Sequence, residues 1–167
     1  EKLGLEGPIL AENGNILYHE GKEVIINSLS AVSDLKQTIK DEAEQFDLQQ
    51  TSDCVAPEFG GSTINTEDYQ WGFGANRQTS ITVFGPPTLI QQLGNSMVGN
   101  GDYSIDCSPE YGYFAIHPGS NYKLNKGKAL NLLNAYGHNV VMIGNSMSDW
   151  VEPELGVVSA FVGGSRI

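Results

Sequence analysis

The pattern of apolar and polar residues changes twice along the chain. In the first part, short apolar runs are separated by Asn-Gly and Glu-Gly pairs, which are strong turn signals. These runs predict a strand followed by a hairpin, with strands over 9–11, 15–19 and 22–27. From Leu29 the apolar residues recur three and four positions apart, which predicts one face of a helix over 29–48.

The middle of the chain predicts two αββ units. The first helix is capped at Asn27 or Ser28, and the residues over 51–66 are expected to be irregular. Alternating aromatic and polar residues then predict a hairpin, and Gly-Pro-Pro ends it before a short helix that begins at Pro87 or Thr88. The predicted strands of this region are 69–73, 77–84, 103–107 and 113–117. The order α-β-β-α-β-β predicts an antiparallel sheet with both helices on one face.

The last part of the chain has a different character. A helix is predicted over 126–136, with Ala129, Leu130 and Leu133 on its apolar face. An apolar strand of the fully buried kind follows over 139–143, then a polar loop and a short helix around 151–155. A further strand is predicted over 157–162, and Gly163-Gly164 begins another loop. Helix and buried strand in alternation are typical of a parallel sheet. The fold class is therefore α/β, with residues 1–27 and 118–167 forming a core and residues 28–117 inserted into it.

Charge and apolar content exclude several classes of partner. The chain carries 20 acidic and 9 basic residues, a formal net charge of −11, and its basic residues are scattered. Such a surface is expected to repel nucleic acid and anionic membranes. No apolar stretch approaches membrane-spanning length, and no signal peptide is recognised, which predicts a cytoplasmic location. Cys54 and Cys107 are then expected as reduced thiols, although the spacing leaves one disulfide open.

Two segments of the last part carry candidate chemistry. Lys126 stands at the first turn of its helix, where the backbone already favours an anion, so it suits a phosphate oxygen. The loop over 144–149 offers oxygen ligands of the kind that Mg²⁺ prefers, with Asp149 the best candidate and Asn145 contributing one amide oxygen. The alternatives are a solvated surface lysine at 126 and an Asp149 that only caps the next helix.

Together these segments resemble the haloacid dehalogenase-like (HAD) phosphatases. The "NKGKAL" helix, a buried strand and then "IGNSMSD" follow the shape of that family's last two motifs. "GPILAENGNILY" resembles the strand and hairpin that lead into its cap, and "NRQTSITVF" resembles a cap strand. The nearest resemblance is to archaeal-type phosphoglycolate phosphatases and Cof-like sugar phosphatases. It implies a Rossmann-like core with an inserted type-two cap of two αββ units.

The resemblance implies a Mg²⁺-dependent phosphomonoester hydrolase acting on a small phosphorylated acid or sugar. In that family an aspartate attacks the phosphoryl group, while Mg²⁺ and a lysine neutralise the moving charge. Lys126 would hold the phosphate, and Asp149 would serve the metal. Asn145 stands where the family has its first loop aspartate. Arg77, in the cap, would reach a substrate carboxylate or phosphate, with a plain surface arginine as the equal alternative.

Two departures from the family pattern bear on activity. The 167 residues contain no D-x-D nucleophile motif, and Asn145 replaces a carboxylate by an amide. We expect the natural chain to be longer, above all at its start, and this chain alone to be catalytically inactive. One alternative is an inactive HAD relative that binds a ligand or partner. Another is an αββ binding module unrelated to phosphatases. The three histidines, at 19, 117 and 138, are expected to be structural, and Tyr69, Trp71 and Phe73 to lie in a core.

Overall fold

The structure is a computed structural model. It describes residues 8–54, 70–75, 77–121, 127, 129–131, 133, 141–146 and 158–166, with side chains described at all of these except 52–54, 141–146 and 158–166. Within these residues the helices and strands are, in chain order, β1 (Ile9–Ala11), β2 (Ile16–His19), β3 (Lys22–Ile25), α1 (Val32–Glu44), β4 (Gln49–Cys54), β5 (Gln70–Gly74), β6 (Ile81–Phe84), α2 (Pro87–Ser96), β7 (Tyr103–Ser108), β8 (Tyr113–Pro118), β9 (Val141–Ser146) and β10 (Val158–Arg166).

The chain divides into two compact units. Glu1–Asn27 and Asn121–Ile167 form the first, and Ser28–Ser120 form the second. The mixed α/β content agrees with the predicted class. No helix among the described residues is long and apolar enough to cross a membrane.

The first unit begins with a three-stranded antiparallel sheet. The strand order is β1-β2-β3, and each strand pairs with its neighbour in sequence. This confirms the predicted strand and hairpin. The register places Leu17 of β2 opposite Leu10 on one side and Val24 on the other. Leu17 is buried, whereas Val24 on the outer strand is about half exposed.

A helix packs its apolar face in this same unit. The described residues at 127, 129–131 and 133 are helical. Ala129, Leu130 and Leu133 are buried, and the two leucines form a cluster with Leu17 of β2. Asn131, on the other side of the helix, is exposed. The predicted apolar face is thus confirmed at every described position, because burial follows the three-and-four spacing of the sequence.

The last two strands of the first unit pair in parallel. Val141 lies opposite Val158, and the ladder continues in register to Gly144 opposite Phe161. The predicted parallel pairing is confirmed. The predicted short helix around 151–155 lies outside the described residues. A parallel pair directs the carboxyl ends of both strands to one edge of the sheet.

The second unit has a five-stranded sheet of order β4-β5-β6-β8-β7. The three pairings from β5 through β6 and β8 to β7 are antiparallel, as predicted. Alternate residues of β6 and β8, among them Ile81, Val83 and Phe114, point to one face. They form one core with buried residues of both helices, such as Ile39 of α1 and Leu93 of α2. Both helices therefore cover the same face of the sheet.

The same core contains the aromatic residues of β5. Trp71 is buried and meets Phe73 edge-on, with 5.3 Å between ring centroids. The prediction that these rings belong to a core is confirmed for both. Tyr69 lies outside the described residues.

Two predictions for the start of this unit were wrong. Residues 49–54, expected to be mostly irregular, form β4, which pairs in parallel with β5. The polar sequence QQTSDC has no apolar alternation, so only its pairing at the sheet edge makes it a strand. The first helix is also shorter than predicted. It starts at Val32 after Ala31, whose φ is 54°, and no side chain caps it.

Candidate functional site

The predicted phosphate and metal site centres on the end of β9. Asn145 was expected in a loop that starts at Gly144, but the structure places it inside β9, one residue before the strand ends at Ser146. The reason is pairing: Gly144 and Ser146 both remain paired with β10. Residues of weak strand propensity extend the ladder when a neighbour supplies hydrogen bonds. Asn145 therefore lies at the carboxyl edge of the parallel pair, where α/β sheets bind ligands.

A second residue at this edge was missed by sequence reasoning. "GGSR" was interpreted as the start of a loop, whereas β10 runs through it to Arg166. After a register shift beyond Phe161, Arg166 lies opposite Ser146 and so next to Asn145 in the ladder. Arginine is well suited to bind phosphate because its planar fork donates two parallel hydrogen bonds. The Gly-Gly-Ser-Arg run was too short to predict a phosphate loop, and only the register with β9 brings Arg166 to this edge.

The other two predicted core residues, Lys126 and Asp149, lie outside the described residues. Among the described ones, no group of three or more His, Cys, Asp or Glu side chains could hold a metal ion. The donor types of the segment at 145–149 are an amide, two hydroxyls and a carboxylate, all oxygen ligands. They match the preference of Mg²⁺ for hard oxygen donors, with one negative charge fewer than the family pattern has.

A strained turn belongs to the same unit. Glu12, Asn13 and Gly14 are consecutive residues with φ of 48°, 58° and 84°. A non-glycine residue held at such angles costs about 1–3 kcal/mol, and positions of this kind concentrate at functional sites. The Asn-Gly turn signal predicted a turn here. It did not predict that the turn would be left-handed over three residues.

The buried side chain of Asn15 stabilises this turn by a hydrogen bond. Its side chain is fully buried, and Nδ2 donates a hydrogen bond to the Glu12 carbonyl at 2.7 Å. Its own carbonyl accepts a hydrogen bond from the Ile26 N–H at 2.7 Å, which ties the turn to the end of β3. The Asn15 Oδ1 is buried and has no hydrogen-bond partner in the described part of the chain. Burying an acceptor without a hydrogen bond costs free energy, so a donor that reached this oxygen would be bound favourably.

In the second unit, the face of the sheet opposite the helices is mostly polar. The alternation that sends Ile81 and Val83 to the core sends Thr82 to this opposite face, and the register places Thr82 opposite Ala115. By the same pairing the face also receives Phe84, Ser104, Asp106, Tyr113 and His117. We call this set the polar sheet face. Thr82 and His117 on it are buried. Once the strands are known, period-two alternation predicts which residues of each strand share this face. The order of the strands in the sheet comes from the fold.

The charge of Arg77 affects a tyrosine on the polar sheet face. It was predicted within a strand over 77–84, but the structure places it before β6, and its side chain is exposed. Burial raises the pKa of Tyr113, and the negative charge of Asp106 raises it further, while the positive charge of Arg77 lowers it. The Tyr113 hydroxyl therefore lies within the fields of both charges. Charges of opposite sign that both act on one phenol can help to orient a small polar ligand.

The strand order separates the two cysteines. Cys54 is on β4 and Cys107 on β7, at opposite edges of the five-stranded sheet. Four strand spacings separate the two edges, about 19 Å at the usual 4.8 Å each, whereas disulfide-linked Cα atoms lie about 4–7 Å apart. The fold thus decides what the sequence left open: these two residues do not pair with each other.

No protein-family model matches the chain, and a search of curated proteins found no match.

Proposed function

We propose that the chain belongs to a HAD-like, Mg²⁺-dependent phosphomonoester hydrolase whose second unit is a type-two cap. The observation that carries the proposal is the parallel pairing of β9 with β10, with Asn145 at the carboxyl edge of the pair. An edge of this kind is where α/β proteins place phosphate and metal ligands. The motif order along the chain supports the same function, from "NKGKAL" to "IGNSMSD".

Each candidate site residue of the first unit would have its own role. Lys126 and Arg166 would neutralise phosphate oxygens, which carry most of the charge in phosphoryl transfer. Asp149 would hold the metal or one of its waters, and Asn145 would offer a neutral oxygen beside it. Mg²⁺, when bound, supplies positive charge that stabilises the transferring phosphoryl group.

The second unit would select the substrate. The polar sheet face carries Tyr113, whose pKa is raised by burial and by the charge of Asp106 and lowered by the charge of Arg77. An arginine recognises a carboxylate or phosphate by two parallel hydrogen bonds, and a carboxylate accepts hydrogen bonds from sugar hydroxyls. Both features suit a small phosphorylated acid or sugar, the substrate classes that the motifs imply.

A second function is favoured by one residue. Asn145 keeps an oxygen but lacks the charge of the aspartate expected there. The loss of a carboxylate weakens a Mg²⁺ site, since affinity for hard cations follows ligand charge. A HAD relative that binds a phosphorylated ligand or a partner without turnover would tolerate this change.

The substitution Asn145→Asp distinguishes these functions. We expect it to strengthen Mg²⁺ binding about tenfold, or ~1.4 kcal/mol, in calorimetric titrations of the chain. The matched control is Asn131→Asp, which adds the same charge at an exposed helix position of the same unit. Equal effects of the two substitutions would mean that position 145 is not at a metal site.

Hydrolysis is the second measurement. It is made on the chain together with any residues that precede Glu1 in its reading frame, with a generic phosphate ester as substrate. The hydrolase proposal expects Mg²⁺-dependent turnover that increases with Asn145→Asp and falls with Lys126→Ala. Tight Mg²⁺-dependent binding of inorganic phosphate without turnover in any variant would favour the non-catalytic function.

A further inference from the structure

The chain contains two Asn-Gly pairs, and the structure places them in opposite environments. Asn13–Gly14 lies in the strained turn of the first unit, and Asn100–Gly101 lies between α2 and β7 in the second. Asparagine followed by glycine is the pair most open to attack of the main chain on the side chain, because glycine has no Cβ to shield its nitrogen. The rates of this attack at the two pairs can therefore be compared within one molecule.

Asn100–Gly101 is exposed at both residues. A Cβ built on Gly101 would meet no atom within 4 Å apart from those of its chain neighbours, so the main chain here lies in open space. The Asp102 N–H donates a hydrogen bond to the Asn100 Oδ1 at 3.1 Å. That bond polarises the side-chain carbonyl, and it would stabilise the oxygen as negative charge develops there, as oxyanion donors do in acyl transfer.

We propose that Asn100 is a site of spontaneous deamidation in the folded protein. The Gly101 nitrogen loses its proton and bonds to the Asn100 Cγ, the Cγ–NH₂ bond breaks, and ammonia leaves. Water then opens the five-membered imide at either carbonyl. One opening gives aspartate and the other isoaspartate, which lengthens the main chain by one methylene. No oxidant or reductant takes part.

Asn13–Gly14 is protected by its geometry. Ring closure requires the next nitrogen and Cβ to be nearly eclipsed about the Cα–C bond. At Asn13 ψ is 31°, which places the Gly14 nitrogen nearly opposite Cβ. Gly14 is buried, and the turn is fastened by the hydrogen bond from Asn15 to Glu12. The nitrogen can reach the Asn13 side chain only after this turn opens, so the rate is limited by the free energy of local opening.

The modification would change both charge and geometry at one point. It adds a negative charge two residues from Asp102. The Asp102 carbonyl accepts a hydrogen bond from the Gly119 N–H at 2.8 Å, which joins this turn to the residue after β8. Isoaspartate at position 100 would shift that junction, whereas aspartate would leave the main chain unchanged.

The experiment compares the two pairs in the same tube. The chain is incubated at mildly alkaline pH, digested, and mapped by mass spectrometry for the exchange of an amide NH₂ for OH. We expect Asn100 to convert at least about tenfold faster than Asn13 in the folded chain, the ratio reflecting the opening equilibrium of the strained turn. In concentrated urea the two rates should be similar, because both pairs are then unstructured Asn-Gly.

Two variants complete the design. Asn100→Gln should abolish the main product, because glutamine would have to form a larger ring, and Asn13→Gln should leave conversion at position 100 unchanged. Equal rates at both sites in the folded chain, or no conversion at Asn100, would overturn the proposal.

Discussion

Gly94 of α2 lies directly against the sulfur of Cys107 on β7. A Cβ added to Gly94 would stand 2.7 Å from the Cys107 Sγ, closer than packed carbon and sulfur atoms approach. The same sulfur lies 3.4 Å from the Ile90 carbonyl of α2. The helix therefore approaches the edge strand closely because position 94 has no side chain.

This contact predicts an unusual sign for a helix substitution. Alanine is favoured over glycine in a helix by about 1 kcal/mol. At position 94 the overlap with the sulfur should cost about 1–3 kcal/mol, so Gly94→Ala is expected to lower the free energy of unfolding. In a Cys107→Ala background the overlap is gone, and the same change should be stabilising. Urea unfolding of the four variants measures both effects. The same loss in both backgrounds would contradict the contact.

The strained turn of the first unit depends on Asn15. The variant Asn15→Ala removes the hydrogen bond to the Glu12 carbonyl and leaves three residues at positive φ without it. We expect a loss of about 1–2 kcal/mol in the free energy of unfolding. Asn131→Ala, at an exposed helix position, should change stability by no more than about 0.5 kcal/mol. Equal effects of the two changes would mean that the turn does not need this bond.

Tyr113 should report on the two charges near it. Asp106→Asn is expected to lower the pKa of the Tyr113 phenol, and Arg77→Gln to raise it, because the two charges act in opposite directions. Titration of tyrosinate absorbance, with Tyr113→Phe subtracted, measures both shifts. A pKa that neither substitution moves would place the charges too far away to matter.

The raised pKa of Tyr113 also predicts a pH dependence of stability. The folded state holds the phenol proton more tightly than the unfolded state, whose reference value is 10.0. The unfolded chain then binds fewer protons in this range, so the free energy of unfolding falls as pH rises above 10.0. Tyr113→Phe should remove this part of the fall. An unchanged slope in that variant would assign the effect to other groups.

The cysteines should remain reduced within one chain. Their strands are at opposite edges of the sheet. When a dilute sample is oxidised in the folded state, both thiols are therefore expected to remain and to be counted once the protein is denatured. A loss of two thiols without dimer formation would contradict the strand order.

The Cys107 thiol should react slowly. Burial raises the pKa of this thiol, and the charges of Asp106 and Glu110 raise it further. Slow alkylation at neutral pH is therefore expected at Cys107, with faster labelling in Asp106→Asn.

Local patterns predicted most helices and strands in this chain, and the strands that they missed or predicted too short share one cause. Period-three-and-four spacing located α1 and the helix around Leu130, and alternation located β6 and β8. The strand β4 was missed because its residues are polar, and it exists by pairing with β5. Of the candidate site, Asn145 was found from its motif, whereas Arg166 was not.

By itself the sequence determined the alternation of helices and strands, the buried faces and the motif order, because these depend on neighbours a few positions apart. Only the tertiary structure decided the parallel pairing of β4, the extension of β9 through Asn145, and the position of Arg166 beside it. Pairing between strands joins residues that are distant in sequence, and the hydrogen bonds it supplies outweigh weak local propensities. For the same reason the two Asn-Gly pairs are equal in sequence and differ only in the folded chain.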